Sequence, residues 1–252
     1  MGHSDSKLLP PPQISAASAQ RGIPPVIQVS YKKSWTKILA LLGEPDSDPI
    51  YSVSLPGGWY GDLIFHDGPD DEQPELARAT REGKWGADFS IALPQIPDAG
   101  SSNGRETLRY KVGRRERYWF GMEVGEGANR HIERFEWRRS HGKDIKSVGQ
   151  SSWGWKLVRI GGGTQKEADS GSDDEQTRKD GFTSDGKEIV AVWADAKSWK
   201  GVSKVGEFQL RGSGATGELG TQWALMAIVS YMCMWQKTMQ SATSAGTAAA
   251  VS

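Results

Sequence analysis

The sequence predicts a mainly β fold, a closed antiparallel β-barrel around a buried hydrophobic C-terminal helix, on two observations. Short runs of alternating apolar and polar residues, bounded by glycine, proline or aspartate, recur from Tyr51 to Leu210. That is the pattern of half-buried strands joined by tight turns. One stretch, Leu219 to Met239, instead carries apolar residues on every face of a helical wheel, and a helix apolar all round is buried on all sides. Among strands, the interior of a barrel buries a helix in that way. At 1.5 Å per residue this helix is roughly 32 Å long, enough to thread a barrel of short strands.

The elements follow in chain order. Residues 1–25, rich in proline, serine and alanine, predict a disordered arm ahead of a single domain over 26–240. Trp35–Leu42 and Glu75–Arg81 read as helical pieces. Tyr51–Leu55 and Asp62–His66 read as strands closed by Pro56-Gly57-Gly58 and Asp67-Gly68-Pro69. Further strands are expected around Leu108, Tyr110 and Val112, over Arg117–Met122, around Phe135 and Trp137, over Trp155–Ile160, Glu188–Trp193 and Val205–Leu210. Residues 162–187 contain only Ala168 and Phe182 as apolar side chains and predict a flexible insertion loop; residues 241–252 predict a disordered tail. Most of the tryptophans Trp119, Trp137, Trp153, Trp155 and Trp193 are expected to line the barrel against the helix.

Gly212, Gly214 and Gly217 form a GxGxxG pattern between the last strand and the helix, the setting of a dinucleotide fingerprint. That reading needs a parallel βαβ unit and an acidic residue about 20 positions further on. No aspartate or glutamate follows Glu218. The glycines are therefore expected to turn the chain sharply off the last strand and into the barrel.

Composition narrows the function classes. Basic and acidic residues balance at 31 each, so no global charge draws the chain to nucleic acid. Cys233 is the only cysteine, which excludes an internal disulfide or a cysteine-based zinc site and suits a buried small hydrophobe. No metal-ligand cluster, nucleophile elbow or phosphate loop occurs, and neither a cofactor nor an enzymatic activity is expected. His66-Asp67 reads as part of a hairpin turn. The start lacks the apolar core of a secretory signal, so a cytoplasmic location is expected, with peripheral membrane association.

The layout of strands followed by one all-round hydrophobic helix, over roughly residues 48–240, resembles the tubby C-terminal-like superfamily of tubby domains, LURP-one-related proteins and phospholipid scramblases. The stretches 132-IERFEWRRSHGKD-144 and 186-GKEIVAVWADA-196, with the terminal helix, are also similar to a family of fungal proteins without known activity. The superfamily resemblance implies a closed barrel of about a dozen strands around a central helix, in proteins that often work at membranes. The sequence departs from it in lacking a scramblase-like calcium segment and a pair matching the tubby phosphoinositide site.

Two features point to chemistry. Residues 1-MGHSDS-6 fit the N-myristoylation pattern, with Gly2 as acceptor; one acyl chain binds weakly and needs a basic partner patch. From Arg105 to Lys146 there are twelve basic and seven acidic residues. If the strands around Tyr110 and Phe135 are neighbours, Arg109, Lys111, Arg134 and Arg138 share one outer face, continued by Arg139 and Lys143. Such a face attracts anionic headgroups, phosphoinositides included. The competing reading is a solvated face with cross-strand Arg–Glu pairs. The sequence thus predicts a non-enzymatic intracellular binder of anionic phospholipid, using Arg109, Lys111, Arg134, Arg138, Arg139 and Lys143. The alternative is a protein-interaction scaffold that recruits a protein partner through the disordered arm or the acidic loop.

Overall fold

A computed structural model describes residues 11–33, 37–83, 86–95, 104–113, 116–125, 127–148, 153–161, 180–196 and 204–249. Twelve strands close a barrel: β1 (Val26–Lys33), β2 (Ile38–Gly43), β3 (Tyr51–Ser54), β4 (Leu63–His66), β5 (Glu75–Arg81), β6 (Phe89–Ala92), β7 (Arg105–Lys111), β8 (Arg117–Val124), β9 (His131–Ser140), β10 (Gly154–Gly161), β11 (Ile189–Asp195) and β12 (Lys204–Leu210). Each strand pairs antiparallel with its sequence neighbours, and β12 returns to β1. Closure removes both sheet edges. It also fixes two mouths, because alternate loops lie at opposite ends.

Helix α4 (Thr221–Ala249) passes through this barrel. Every residue from Gln222 to Trp235 is buried, and Gln236 with them. The inward faces of the strands supply the packing, with Phe135, Trp137, Trp193 and Phe208 fully enclosed. Trp193 stacks on Tyr231 at 3.8 Å between ring centroids. Among the polar atoms inside, the Trp137 indole N–H donates to Ser230 Oγ at 2.8 Å, and that hydroxyl donates to the Ala227 carbonyl, whereas the Trp223 indole N–H has no hydrogen-bond partner among the described residues. Of the tryptophans expected inside, Trp137, Trp155 and Trp193 lie there; Trp119 is on the outer surface over β8, and Trp153 is 52 % exposed.

The glycine-rich turn does what its spacing predicts. A short helix α3 (Gly212–Ala215) follows β12, and Gly212 and Gly217 take φ of 49° and 82°. A Cβ on Gly214 would stand 2.4 Å from the Val190 carbonyl and 2.8 Å from the Trp223 ring. The turn can therefore press against β11 only with glycine there.

Four expectations are corrected. Glu75–Arg81 is strand β5, not a helix: its helix-forming residues are overridden by pairing with β4 and β6, with Leu76, Ala77 and Ala79 buried. The Trp35–Leu42 piece is likewise strand from Ile38 onward, paired with β1 and β3; Trp35 lies outside the described residues. Within the arm, α1 (Ala16–Arg21) is ordered, because Asp67 accepts from the Ser15 amide at 3.1 Å and from the Ser18 hydroxyl. Finally, α4 continues helical to Ala249, into the predicted tail. Most of the insertion loop, residues 162–179, lies outside the described residues.

Strand β11 is buried along nearly its whole length. Val190, Ala191 and Trp193 join the barrel core, while Ile189, Val192 and Ala194 are covered from outside by Ile145 and Val148 of and beside α2 (Lys143–Lys146).

Candidate functional site

The basic face is built by register. On the outer side of the barrel Lys111 pairs with Arg117, Arg117 with Arg138, and Arg138 with Lys156. Cross-strand partners point the same way, so four cations form one row across β7, β8, β9 and β10. The next row runs Arg109, Trp119, Glu136 and Val158, and Arg134 lies beyond it. Arg109, Lys111, Arg134 and Arg138 do share one face, but with β8 between β7 and β9. Arg139 has the opposite parity, that of Phe135 and Trp137. It sits at the rim, its guanidinium 5.5 Å from the Trp155 ring centroid and 5.8 Å from that of Trp153. Lys143 is exposed on α2. Gly2 lies outside the described residues.

Like charges directly opposite each other destabilise a sheet, and the face carries built-in compensation. Glu136 is 4 % exposed and lies 2.9 Å from Arg138, 3.3 Å from Arg117 and 3.3 Å from Arg134. Asp185 takes a second contact from Arg138 at 3.1 Å, and Asp144 holds Lys156 at 3.1 Å. Burial works against the charge on Arg138, but Glu136 and Asp185 outweigh it and hold its pKa above the usual guanidinium value. Burial also pushes up the Asp185 carboxyl, while Thr183 and Arg138 bring it below the ordinary range. The cross-strand Arg–Glu pairs of the solvated-face reading are therefore present. Among the groups named on this face the basic side chains still outnumber the acidic ones: Arg109, Lys111, Arg117, Arg134, Arg138 and Lys156 stand against Glu136, Asp144 and Asp185.

Trp119 organises the middle of the face. Arg134 lies 4.2 Å from its ring centroid and Arg109 5.4 Å, so both cations are within cation–π range of one aromatic ring. Beside it opens a cleft of about 540 Å³ between β8–β10 and the turn at 183–185. Arg117, Arg138, Lys156, His141, Thr183 and Trp153 line it, with Glu116 and Asp185 as its acidic members. The arrangement offers charged donors and an aromatic wall to a phosphate-bearing group.

No known protein family, curated protein or solved structure matches this chain. No helix among the described residues is long and apolar enough to cross a membrane, and none of them form a metal-binding cluster.

The residues missed by sequence reasoning are Arg117 and Lys156. Arg117, which is one of the twelve basic residues from Arg105 to Lys146, opens an aromatic strand, and Lys156 sits in an apolar run beyond that stretch, so neither is singled out as a site residue. Alternation would have placed both on the outer face, but only the strand register puts them in one row with Lys111 and Arg138. A Ser–His contact also appears: Ser54 Oγ lies 2.8 Å from His66 Nε2, and His66 Nδ1 lies 3.0 Å from the Gln73 carbonyl. Both side chains are buried, at 8 % and 6 % exposure. Their bonds fasten β3 to the β4–β5 connection.

Proposed function

We propose that this protein is a non-catalytic binder of anionic phospholipid headgroups. The observation that carries the reading is the in-register row Lys111–Arg117–Arg138–Lys156 beside the cleft walled by Trp153. Glu136, Asp185 and Asp144 offset part of the charge of this row, and a phosphorylated headgroup has the charge and acceptor oxygens to engage the cations at its solvent-facing end, Lys111 and Arg117. A closed barrel around a helix is also what a tubby-like resemblance implies, which supports at the level of layout a protein working at membrane surfaces. Peripheral attachment on the cytoplasmic side, strengthened by acylation of Gly2, follows from the same reading.

The test is sedimentation with vesicles of phosphatidylcholine alone and with added phosphatidylinositol bisphosphate, at low and physiological salt. Binding is expected only to the anionic vesicles, weakening with salt. Lys111→Gln combined with Arg117→Gln is expected to weaken it about thirty-fold, from about 1 kcal/mol per cation near an anionic surface. Equal binding by a folded double variant, or no preference for the anionic vesicles, would sink the reading.

A further inference from the structure

The geometry points to which end of the barrel faces the lipid. We infer that the mouth from which α4 emerges docks on the anionic bilayer, with Tyr60, Val112 and Trp153 entering the headgroup layer. This inference rests on the proposed lipid binding and adds an orientation to it.

Strand direction locates the groups. Lys111 ends β7, Arg117 begins β8, Arg138 lies two residues before the end of β9, and Lys156 two residues after the start of β10. The cationic row therefore lies toward the mouth formed by the β7–β8 and β9–β10 loops. In an up-and-down barrel the β3–β4 and β5–β6 loops share that mouth. It is also where α4 leaves: Gln236 Nε2 donates to the Gly61 carbonyl at 2.8 Å, Arg81 Nη2 to Gln240 Oε1 at 2.7 Å, and Tyr60 OH lies 2.9 Å from Ser244 Oγ.

Among the described residues, four large apolar side chains stand out as exposed: Tyr60 at 65 %, Val112 at 74 %, Trp153 at 52 % and Ile132 at 71 %. The first three occupy the β3–β4, β7–β8 and β9–β10 loops, all at the exit mouth. Ile132, near the start of β9, is at the other end. Tyrosine and tryptophan beside a cationic rim are suited to the membrane interface, where an apolar ring and a polar edge are both accommodated.

The emerging helix fits the same orientation. From Thr238 to Ala249 it carries no charged residue. Its hydroxyls turn back onto its own carbonyls: Thr238 to Met234 at 3.0 Å, Ser241 to Lys237 at 3.1 Å, Thr243 to Met239 at 2.8 Å and Ser244 to Gln240 at 3.0 Å. Bonds of that kind lower the cost of moving hydroxyl groups out of water.

The test uses single cysteines carrying an environment-sensitive dye. Cys233 is buried with its thiol pKa pushed up by burial, so the dye goes to the introduced residue. Tyr60→Cys, Val112→Cys and, as the opposite-end control, Ile132→Cys are labelled in the full chain. Each is mixed with phosphatidylcholine vesicles containing phosphatidylinositol bisphosphate, with sedimentation recorded on the same samples. Blue-shifted, brighter emission at 60 and 112 with no change at 132 is expected. Trp153→Ser is expected to lose the part of the binding that survives raised salt. Intact sedimentation with a response at 132, or with none at 60 and 112, overturns the orientation and leaves headgroup binding standing. Loss of sedimentation for the unlabelled parent overturns both.

Discussion

Arg159 and Glu136 lie on adjacent strands and show the same ion chemistry in opposite proportion. Near the mouth where α4 enters, the single guanidinium of Arg159 meets Glu133 at 2.5 Å, Glu218 at 2.9 Å and Glu188 at 3.5 Å. Toward the exit mouth, the single carboxylate of Glu136 meets Arg117, Arg134 and Arg138. The first cluster spends its charge on the protein's own chain. Arg159 also donates to Ser213 Oγ at 3.1 Å, and Glu188 accepts from the Ser213 amide at 2.7 Å, which fastens the glycine-rich turn that carries the chain into the barrel. The second cluster also holds a turn, through Arg138 and Asp185, but gathers three guanidinium groups around one carboxylate. One end thus spends its ion pairs on closing the chain, and the other is the end where the proposed anion site lies.

The largest expected effect comes from opening the closed end. Arg159→Met leaves Glu133, 4 % exposed, without its bidentate partner. Breaking such a pair from one side is expected to cost about 3 kcal/mol in denaturant unfolding. The pH dependence carries a second signature. Arg159 holds the Glu133 carboxyl below its ordinary 4.5. Its contribution is therefore complete above that value and lost as pH falls through the folded pKa. The Arg159→Met variant should lose less stability on acidification than the parent. A variant that melts like the parent and acidifies identically would remove the distinction between the two ends.

A smaller effect is expected at Glu136. Glu136→Gln keeps the shape but removes the one carboxylate shared by three arginines. About 1–2 kcal/mol of stability should be lost. Retention on phosphoinositide vesicles should rise at the same time, because the surplus of positive charge grows. A stability loss with unchanged or weaker vesicle binding would mean that the face is a structural ion network only.

Much of this architecture was legible in the sequence, and the reason differs from element to element. The helix over 219–239 could be read because uninterrupted burial leaves apolar residues at all angles. The turn at Gly212–Gly217 could be read because the chain after Glu218 has no acidic residue for a ribose. Glu75–Arg81 could not: Glu, Leu, Ala and Arg favour helices, and only the partners on both sides make a strand of them. The basic face was legible as composition but not as a site. Arg109, Lys111, Arg134 and Arg138 follow from alternation within strands, whereas Arg117 and Lys156 enter the row through pairing register, which is a property of the closed barrel. Arg139 was grouped with its neighbours by sequence and is separated from them by parity.

The smallest effect concerns a cation at the exit mouth that has no carboxylate of its own to balance it within the helix. Lys237 Nζ sits 3.1 Å from the Tyr110 ring centroid and 5.4 Å from that of Tyr118. Burial lowers its pKa to about 8, against weaker upward pulls from Glu116 and Asp88, and Arg81 adds to the lowering. An unfolded lysine titrates near 10.5. Between those values the unfolded chain binds more protons than the folded one, so stability rises with pH across the window, and the full cost of the charge is present below it. Lys237→Met is expected to be more stable than the parent near neutral pH by on the order of 1 kcal/mol, the half-exposed position and the lost ring contact holding the gain down. The difference should shrink as pH rises from about 8 toward about 10, read from urea unfolding of both proteins at each pH. A gain that stays constant or widens over that range would show that Lys237 is not charged at a cost, and that the exit mouth tolerates its positive charge through contacts other than burial against the tyrosines.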